Sequence, residues 1–404
     1  MQTAAGSTAL VSAPNFLLNL NAHAALDKQN NDNILVVVQL SGGNDGLNTV
    51  VPYGDDSYNK NRFTLRIAKQ QVLKLNNYIG LHPAMTGMKE LYDEGKLAIL
   101  QGIGYPNPNR SHFASMDIWH TARLDAPEDT NPARRTGWIG RYLDGALSGK
   151  GLDVPALHLG SDRQPLAVVG QDVRVPSVQS LEGFKFQTGG DQKLAKAVKA
   201  ANTVARPASN DLLNFMHRST VTAMDSSKQV QDATRNYSTP VKYPGSGLAK
   251  KLKTVAQLID AGLTTRVYYV TLGGFDTHAN QQQAHFGLLK QLSDAVNAFM
   301  KDITHHGHNK RVLLMSFSEF GRRIKENASR GTDHGAAAPM FILGDPARSG
   351  IIGAHPSLTN TQQGDLKEHT DFRQVYASVL DEWLRFDSRK VLGRKFTRLD
   401  VLDT

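Results

Sequence analysis

The feature that most constrains this chain is a recurring pair: a short, largely apolar run, then a polar cluster a few residues later. Ile34–Leu40 reads Ile-Leu-Val-Val-Val-Gln-Leu and is followed by Ser41-Gly42-Gly43-Asn44-Asp45-Gly46. Leu97–Gly102 leads to Arg110-Ser111-His112-Phe113, Arg266–Leu272 to Asp276-Thr277-His278, and Arg311–Phe317 to Ser318-Glu319-Phe320-Gly321. A further cluster, Asp333-His334-Gly335, follows shortly after the last of these. Runs that are apolar at consecutive positions and rich in β-branched residues fit strands buried on both faces, as in a parallel sheet. Helical patterns stand between them: from Leu81-His82-Pro83 with Met85, Met88 and Leu91 in step, over His112–Ala122, Leu248–Gly262 and Gln281–Thr304, and over Asp371–Arg385. Pro155–Leu159, Leu166–Val169 and Met340–Leu343 read as shorter strands. This alternation predicts an α/β fold of three layers, a mostly parallel central sheet with helices on both faces. In such a sheet the loops beyond the carboxyl ends of the strands meet at one crevice, where ligands bind.

Composition bounds the rest. With 404 residues, 40% of them hydrophobic, the chain is long enough for one large domain, read here as 31–404. From about 174 to 247, Lys, Gln, Ala, Ser and Asn dominate, and helical patterns at Lys193–Ala201 and Asn210–Ala223 suggest a helical cap or insertion. The net charge of +9 is scattered, and no zinc-finger, homeodomain or RNA-binding signature accompanies it, so no nucleic-acid partner is expected. The absence of Cys excludes disulfides and thiolate chemistry. No apolar run reaches the roughly 18 residues of a membrane span. Residues 1–30 read either as the later part of an export signal, with a small-residue stretch Asn21-Ala-His-Ala-Ala25 resembling a cleavage region, or as a flexible terminus. A periplasmic or otherwise exported location is the expectation.

Each cluster has a plain reading and a chemical one. Asp45 sits in a run of turn-forming residues, and equally at a strand end where a metal ligand belongs. Ser111 is a preferred helix N-cap; the same helix start, with its exposed amides and dipole, suits an attacking hydroxyl, and Arg110 suits a phosphate or sulfate oxygen. His112 supports that site or faces solvent. Asp276 and His278, two residues apart after Gly273-Gly274, can reach one ion, with His285 as an alternative second ligand; the plain reading is a helix cap. Glu319 follows a strand directly, and His334 pairs with Asp333 as ligand and orienter.

Taken in order, Leu40-Ser-Gly-Gly-Asn-Asp-Gly-Leu-Asn48, Ser111-His-Phe113, Gly273-Gly-Phe-Asp-Thr-His278, Ser318-Glu-Phe-Gly-Arg322 and Thr332-Asp-His-Gly335 resemble a domain-of-unknown-function family of exported bacterial proteins. That family is related to the alkaline phosphatase and sulfatase superfamily, and the resemblance spans Ile34 to Leu384. Its members often carry a twin-arginine export signal. The resemblance implies two metal ions beside a Ser or Thr nucleophile. The implied order is Asp45, then Ser111, then Asp276 with His278 or His285, then Glu319, then His334. One departure stands out: where the superfamily has Asp-His at the strand end, this chain has Glu319-Phe320, and Phe cannot ligate. A second alignment matches Asp333-His334-Gly335 to that motif. The implied activity is metal-dependent hydrolysis of a small anionic ester, phosphate ahead of sulfate because neither Cys nor Ser-x-Pro-x-Arg is present to form formylglycine. One or two divalent ions (Zn, Mn, Mg or Ca) are the implied cofactors. The rival expectation is a non-catalytic exported binding or assembly protein with a degenerate site.

Overall fold

The central strand, β1 (Ile34–Leu40), is buried at all seven positions. Its side chains alternate between two cores, as the two-residue period of a strand requires. Val36, Val38 and Leu40 point into one and Leu35 and Val37 into the other. The structure is a computed structural model and describes residues 32–131, 134–147, 154–178 and 237–403. The export-like segment, both helical patterns between 193 and 223, and most of the expected insertion lie outside the described residues. At the margins of that insertion, Ser177–Val178 is a strand of the main sheet and 237–246 holds no helix.

In chain order the principal elements after β1 are α1 (Thr86–Asp93), β2 (Leu97–Gly104), α2 (His112–Thr121), α3 (Trp138–Leu147), β3 (Ala156–Leu159) and β4 (Ser177–Val178). Then come α4 (Gly247–Asp260), β5 (Val267–Leu272), α5 (Gln281–His305), β6 (Val312–Ser318), β7 (Ala338–Leu343), β8 (Gly350–Ile352), β9 (Thr370–Asp371) and α6 (Phe372–Ser378). The main sheet runs β8-β2-β7-β6-β1-β5-β3-β4, with β9 alongside β2. Among the described strands of this sheet β7 alone is antiparallel to its neighbours. Leu40 is in register with Leu272 of β5 and Ser318 of β6, so three strands end level at one edge of the sheet.

One core packs Met88 and Leu91 of α1, Leu252 and Val255 of α4, and Leu292 and Val296 of α5 against the sheet. The other packs Trp119 of α2, Ile139 and Leu143 of α3, and Val375 and Tyr376 of α6 against the opposite face. Helices thus cover both faces of a mostly parallel sheet, the three-layer α/β arrangement expected from the apolar runs. Each fully buried aliphatic side chain contributes roughly 1.5–3 kcal/mol. Helix α6 starts on a capping box between Asp371 and Gln374, which fixes its boundary one residue after Asp371.

Two expectations change. Leu166–Val169 is not a strand: Leu166–Val168 is a 3₁₀ turn after Pro165, with Ala167 and Val168 buried in the second core. An apolar run signals burial, and here burial comes without strand pairing. Met340–Leu343 is the later part of the longer β7, whose reversed direction a hydropathy pattern does not carry.

Candidate functional site

The level edge of the sheet gathers the polar clusters. The segments following β1, β2, β5 and β6 all emerge there, and because β7 runs the other way, the residues preceding it lie at the same edge. His334 reaches the site from in front of a strand, and the others arrive from behind one. The loops pack closely. Gly42, at φ +118°, leaves no room for a side chain: a Cβ there would fall 2.4 Å from the Asp276 amide nitrogen. A Cβ on Gly43 (φ +76°) would fall 2.3 Å from the Phe320 ring.

Asp276 Oδ1 is the focus. His112 Nε2 lies 3.4 Å from it, His334 Nε2 3.2 Å and His278 Nε2 2.9 Å. His278 Nε2 is also 2.9 Å from His334 Nε2. His112, Asp276 and His334 each offer a ligand atom within 4.8 Å of the others. Outer contacts set the ring tautomers. His112 Nδ1 donates to Glu319 Oε1 at 2.9 Å, and His334 Nδ1 donates to the Arg110 carbonyl at 2.7 Å. In neutral rings this leaves both Nε2 atoms bare, with lone pairs directed at one another and at a carboxylate. His112 Nε2 is buried and makes no hydrogen bond. Imidazole nitrogens and a carboxylate oxygen 3.2–3.4 Å apart are held together by a shared proton or by a cation. The spacing suits a cation: metal–nitrogen bonds of 2.0–2.1 Å at tetrahedral angles put neighbouring ligands about 3.3 Å apart. The donor set thus fits a divalent ion.

The surroundings fix these groups. Glu319 is buried, accepts from the Gly42 amide at 2.8 Å as well as from His112, and has Ser318 Oγ 3.0 Å from its other oxygen. Its hydrogen bond to His112 raises that imidazole's pKa, outweighing burial. Phe320 packs against both histidine rings, 4.9 Å from His112 and 4.8 Å from His334, which themselves meet edge to face at 4.3 Å. Arg322 has no exposed side-chain surface; Nη2 reaches Asp276 Oδ1 at 2.7 Å, Nη1 lies 3.4 Å from His278 Nε2, and its other donors go to the carbonyls of Gly42, Gly43, Phe275 and Thr332. Burial raises the Asp276 carboxyl, but its contacts with Arg322 and His334 outweigh this and bring it down to about 2. His278 is held from behind by Asp333, 3.2 Å from Nδ1.

The structure does not bring Asp45 to this cluster. Arg62 grips Asp45 with two hydrogen bonds, 2.5 and 2.9 Å, and Gln281 Nε2 adds a third at 2.5 Å. Neither side chain of the pair is exposed. Burial raises the Asp45 carboxyl, and Arg62 more than reverses it. His285 is likewise elsewhere, donating from Nε2 to Asn44 Oδ1 at 2.9 Å, with burial holding its pKa down to about 4. Glu319 reaches the cluster through His112, its oxygens already engaged. Ser111 caps α2 without a side-chain hydrogen bond and is exposed, next in sequence to His112. The Arg110 guanidinium is taken by Asp365, with Nε at 2.8 Å from Oδ2. Thus Asp276, His278 and His334 gather as the sequence suggested, and His112 joins them. Of the two framework cations, Arg322 stands in the Ser318-Glu-Phe-Gly-Arg322 motif, whereas Arg62 carried no local signal, since a lone Arg after a turn usually reads as solvated.

Similarity to known proteins gives a family. The family model described as "Protein of unknown function (DUF1501)" matches residues 32–396. No curated protein matches. Among solved structures the chain is similar to the PsFucS1 sulfatase from Pseudoalteromonas sp., at 10% identity and a TM-score of 0.40, covering 95% of this chain and 72% of that one. It is similar to the lipoteichoic acid synthase LtaP from Listeria monocytogenes, at 9% identity and 0.39, covering 84% and 75%. An alkaline phosphatase superfamily protein from Vibrio parahaemolyticus stands at 9% and 0.38, covering 81% and 64%. Likeness at this level says nothing of chemistry.

Proposed function

We propose that this chain, which belongs to the DUF1501 family of proteins of unknown function, hydrolyses phosphate or sulfate esters with one divalent ion held by His112, Asp276 and His334. The observation that carries the reading is the convergence of two bare Nε2 atoms and a carboxylate oxygen on one point, with His112 Nε2 buried and unpartnered. His278 stands against the same oxygen as a possible fourth ligand. One ion is favoured over two, because Arg62 already supplies the cation that Asp45 would otherwise recruit. Charge balance agrees: Asp276, Asp333 and Glu319 against Arg322 leave two negative charges, which a dication cancels.

A bound ion would supply Lewis acidity and a counter-charge for the ester's oxygens. The chain's own residues do the rest. Glu319 and the Arg110 carbonyl hold the two imidazoles in the required tautomers, and Phe320 backs both rings. Ser111 is the attacking group we assign. Its hydroxyl is exposed and unbonded at the start of α2, where free amides and the helix dipole favour developing negative charge. Attack forms an oxygen–phosphorus bond as the bond to the departing alcohol breaks; water then releases phosphate and restores Ser111. We place this chemistry outside the cytoplasm on the export-like N-terminus; among the described residues no helix is long and apolar enough to cross a membrane.

Purified protein supplied in turn with Zn, Mn, Mg and Ca is expected to retain about one ion per chain and to turn over an aryl phosphate, a phosphodiester or a sulfate ester. Asp276→Ala is expected to lose both the ion and the turnover. Ser111→Ala should keep the ion and lose turnover at least 100-fold, about 2.7 kcal/mol of barrier. No retained ion and no turnover with any of these metals would overturn the reading. Unchanged turnover in Ser111→Ala would pass the attack to water.

A further inference from the structure

An esterase must also hold the alcohol part of its substrate, and a cavity of about 450 Å³ lies beside the candidate centre. Two links join it to the site. Arg110, on its wall, receives the His334 Nδ1 hydrogen bond on its carbonyl, and Ala336, also on the wall, is two residues beyond His334. The remaining polar lining is Asn107, Asn109, Gln362, Gln363 and Asp365.

Resting on the hydrolase reading, we propose that this cavity seats a neutral polyhydroxylated alcohol, a sugar or polyol, so that the substrates are sugar or polyol esters of phosphate or sulfate. Charge is the first ground. The ionic groups on the wall are Arg110 and Asp365, and they pair with each other, Arg110 Nε donating to Asp365 Oδ2 at 2.8 Å. Nothing there calls for a charged ligand, and the anionic part of the substrate has its place at the cation centre. Apolar lining is the second. Pro108 and Ala336 are too small a surface to hold an aryl ring or an acyl chain. The amides are the third. Asn107, Gln362 and Gln363 are exposed and their side chains make no hydrogen bond within the protein. Each carries two N–H donors and an acceptor oxygen, and hydroxyl groups, donors and acceptors at once, match that mixture.

The test separates this claim from the hydrolase reading by measuring binding in chelator, where the centre is silent. Saturation-transfer NMR is run on the full chain with glucose, galactose, N-acetylglucosamine, maltose and glycerol. At least one is expected to bind, with affinity reduced roughly ten-fold in Gln362→Ala, the loss of one or two hydrogen bonds. Asp365→Asn is the second variant; Gln362 is exposed, so its replacement leaves the fold intact should Asp365→Asn unfold the chain. With metal supplied, the ratio of kcat/KM for glucose 6-phosphate over 4-nitrophenyl phosphate is expected to fall in Gln362→Ala. No binding by any of the five, with or without metal, or binding that neither variant alters, overturns the proposal. Sugar binding without turnover of any ester leaves the cavity's role standing and removes the hydrolase reading.

Discussion

Asp45 and Asp276 stand just beyond two neighbouring strands, β1 and β5, and each is met by an arginine with no exposed side-chain surface, Arg62 and Arg322. At Asp45 the carboxylate is unexposed too. Arg62 takes both oxygens, Gln281 adds a third bond, and Gln281 is itself held by Thr277 and Thr332. At Asp276 the side chain is 49% exposed, its contacts with Arg322 and the histidines fall on Oδ1, and Arg322 gives it one donor while turning the others to backbone carbonyls and His278. The same pair of residue types is a sealed brace in one place and the open end of a ligand cluster in the other. What differs is access to water and how many lone pairs remain unspent. Conserving a carboxylate at a strand end is therefore not enough to keep a metal ligand there.

The comparison is broken or sharpened by removing one partner at a time. Arg62→Ala strands a buried carboxylate and is expected to cost about 3–5 kcal/mol in urea unfolding. Asp276→Asn, half in water, should cost no more than about 1 kcal/mol in the same assay; equal losses would mean that burial is not what separates the pairs. Next comes Glu319→Gln, which keeps an oxygen for His112 Nδ1 but loses the charge behind it. Zinc or manganese titration is expected to show affinity down roughly 10- to 100-fold with the unfolding midpoint little moved. An unchanged affinity would show that Glu319 serves packing alone.

The smallest effect concerns a buried group with no ionic partner at all. His120, on the second core, donates from Nε2 to Gln39 Oε1 at 3.0 Å, and burial holds its pKa down to about 3 from an ordinary 6.5. Below pH 6.5 the unfolded chain takes up a proton that the native ring refuses, so this group makes stability fall as the solution is acidified. The slope approaches about 1.4 kcal/mol per pH unit between roughly pH 5.5 and 4. His120→Gln, which keeps a donor for Gln39, should flatten the decline of the unfolding midpoint over that range; an identical slope would assign the acid sensitivity to other groups.

Much of this architecture is written locally. Strands buried on both faces leave apolar runs such as Ile34–Leu40 and Val312–Ser318, and no other element of a mid-sized domain produces so many of them at this length. The motif segments that resembled a domain-of-unknown-function family fall within the 32–396 match to DUF1501. The site is only half legible. Asp276, His278 and His334 gather because their loops end or begin at one sheet edge. Asp45 has the same local signature as Asp276, and what diverts it is Arg62, reached by a turn of chain whose course no pattern around Asp45 encodes. For His112 the sequence leaves a supporting role and a solvent-facing one both open, because the residue that turns its ring inward, Glu319, lies 207 positions away. Strand direction is equally silent: β7 has the composition of its neighbours and runs against them.

Those separations also set a clock. The brace between Asp45 and Arg62 closes over 17 residues, and its outer bonds to Gln281, Arg323 and Ile324 come from segments made before β7. The bond that fixes the His334 ring spans 224 residues, and it waits for a strand near the end of the chain to turn back on the sheet. Long-range contacts form late and slowly. The cluster around Asp276 is thus assembled after most of the sheet, and a chain halted before β7 would hold its brace without its centre.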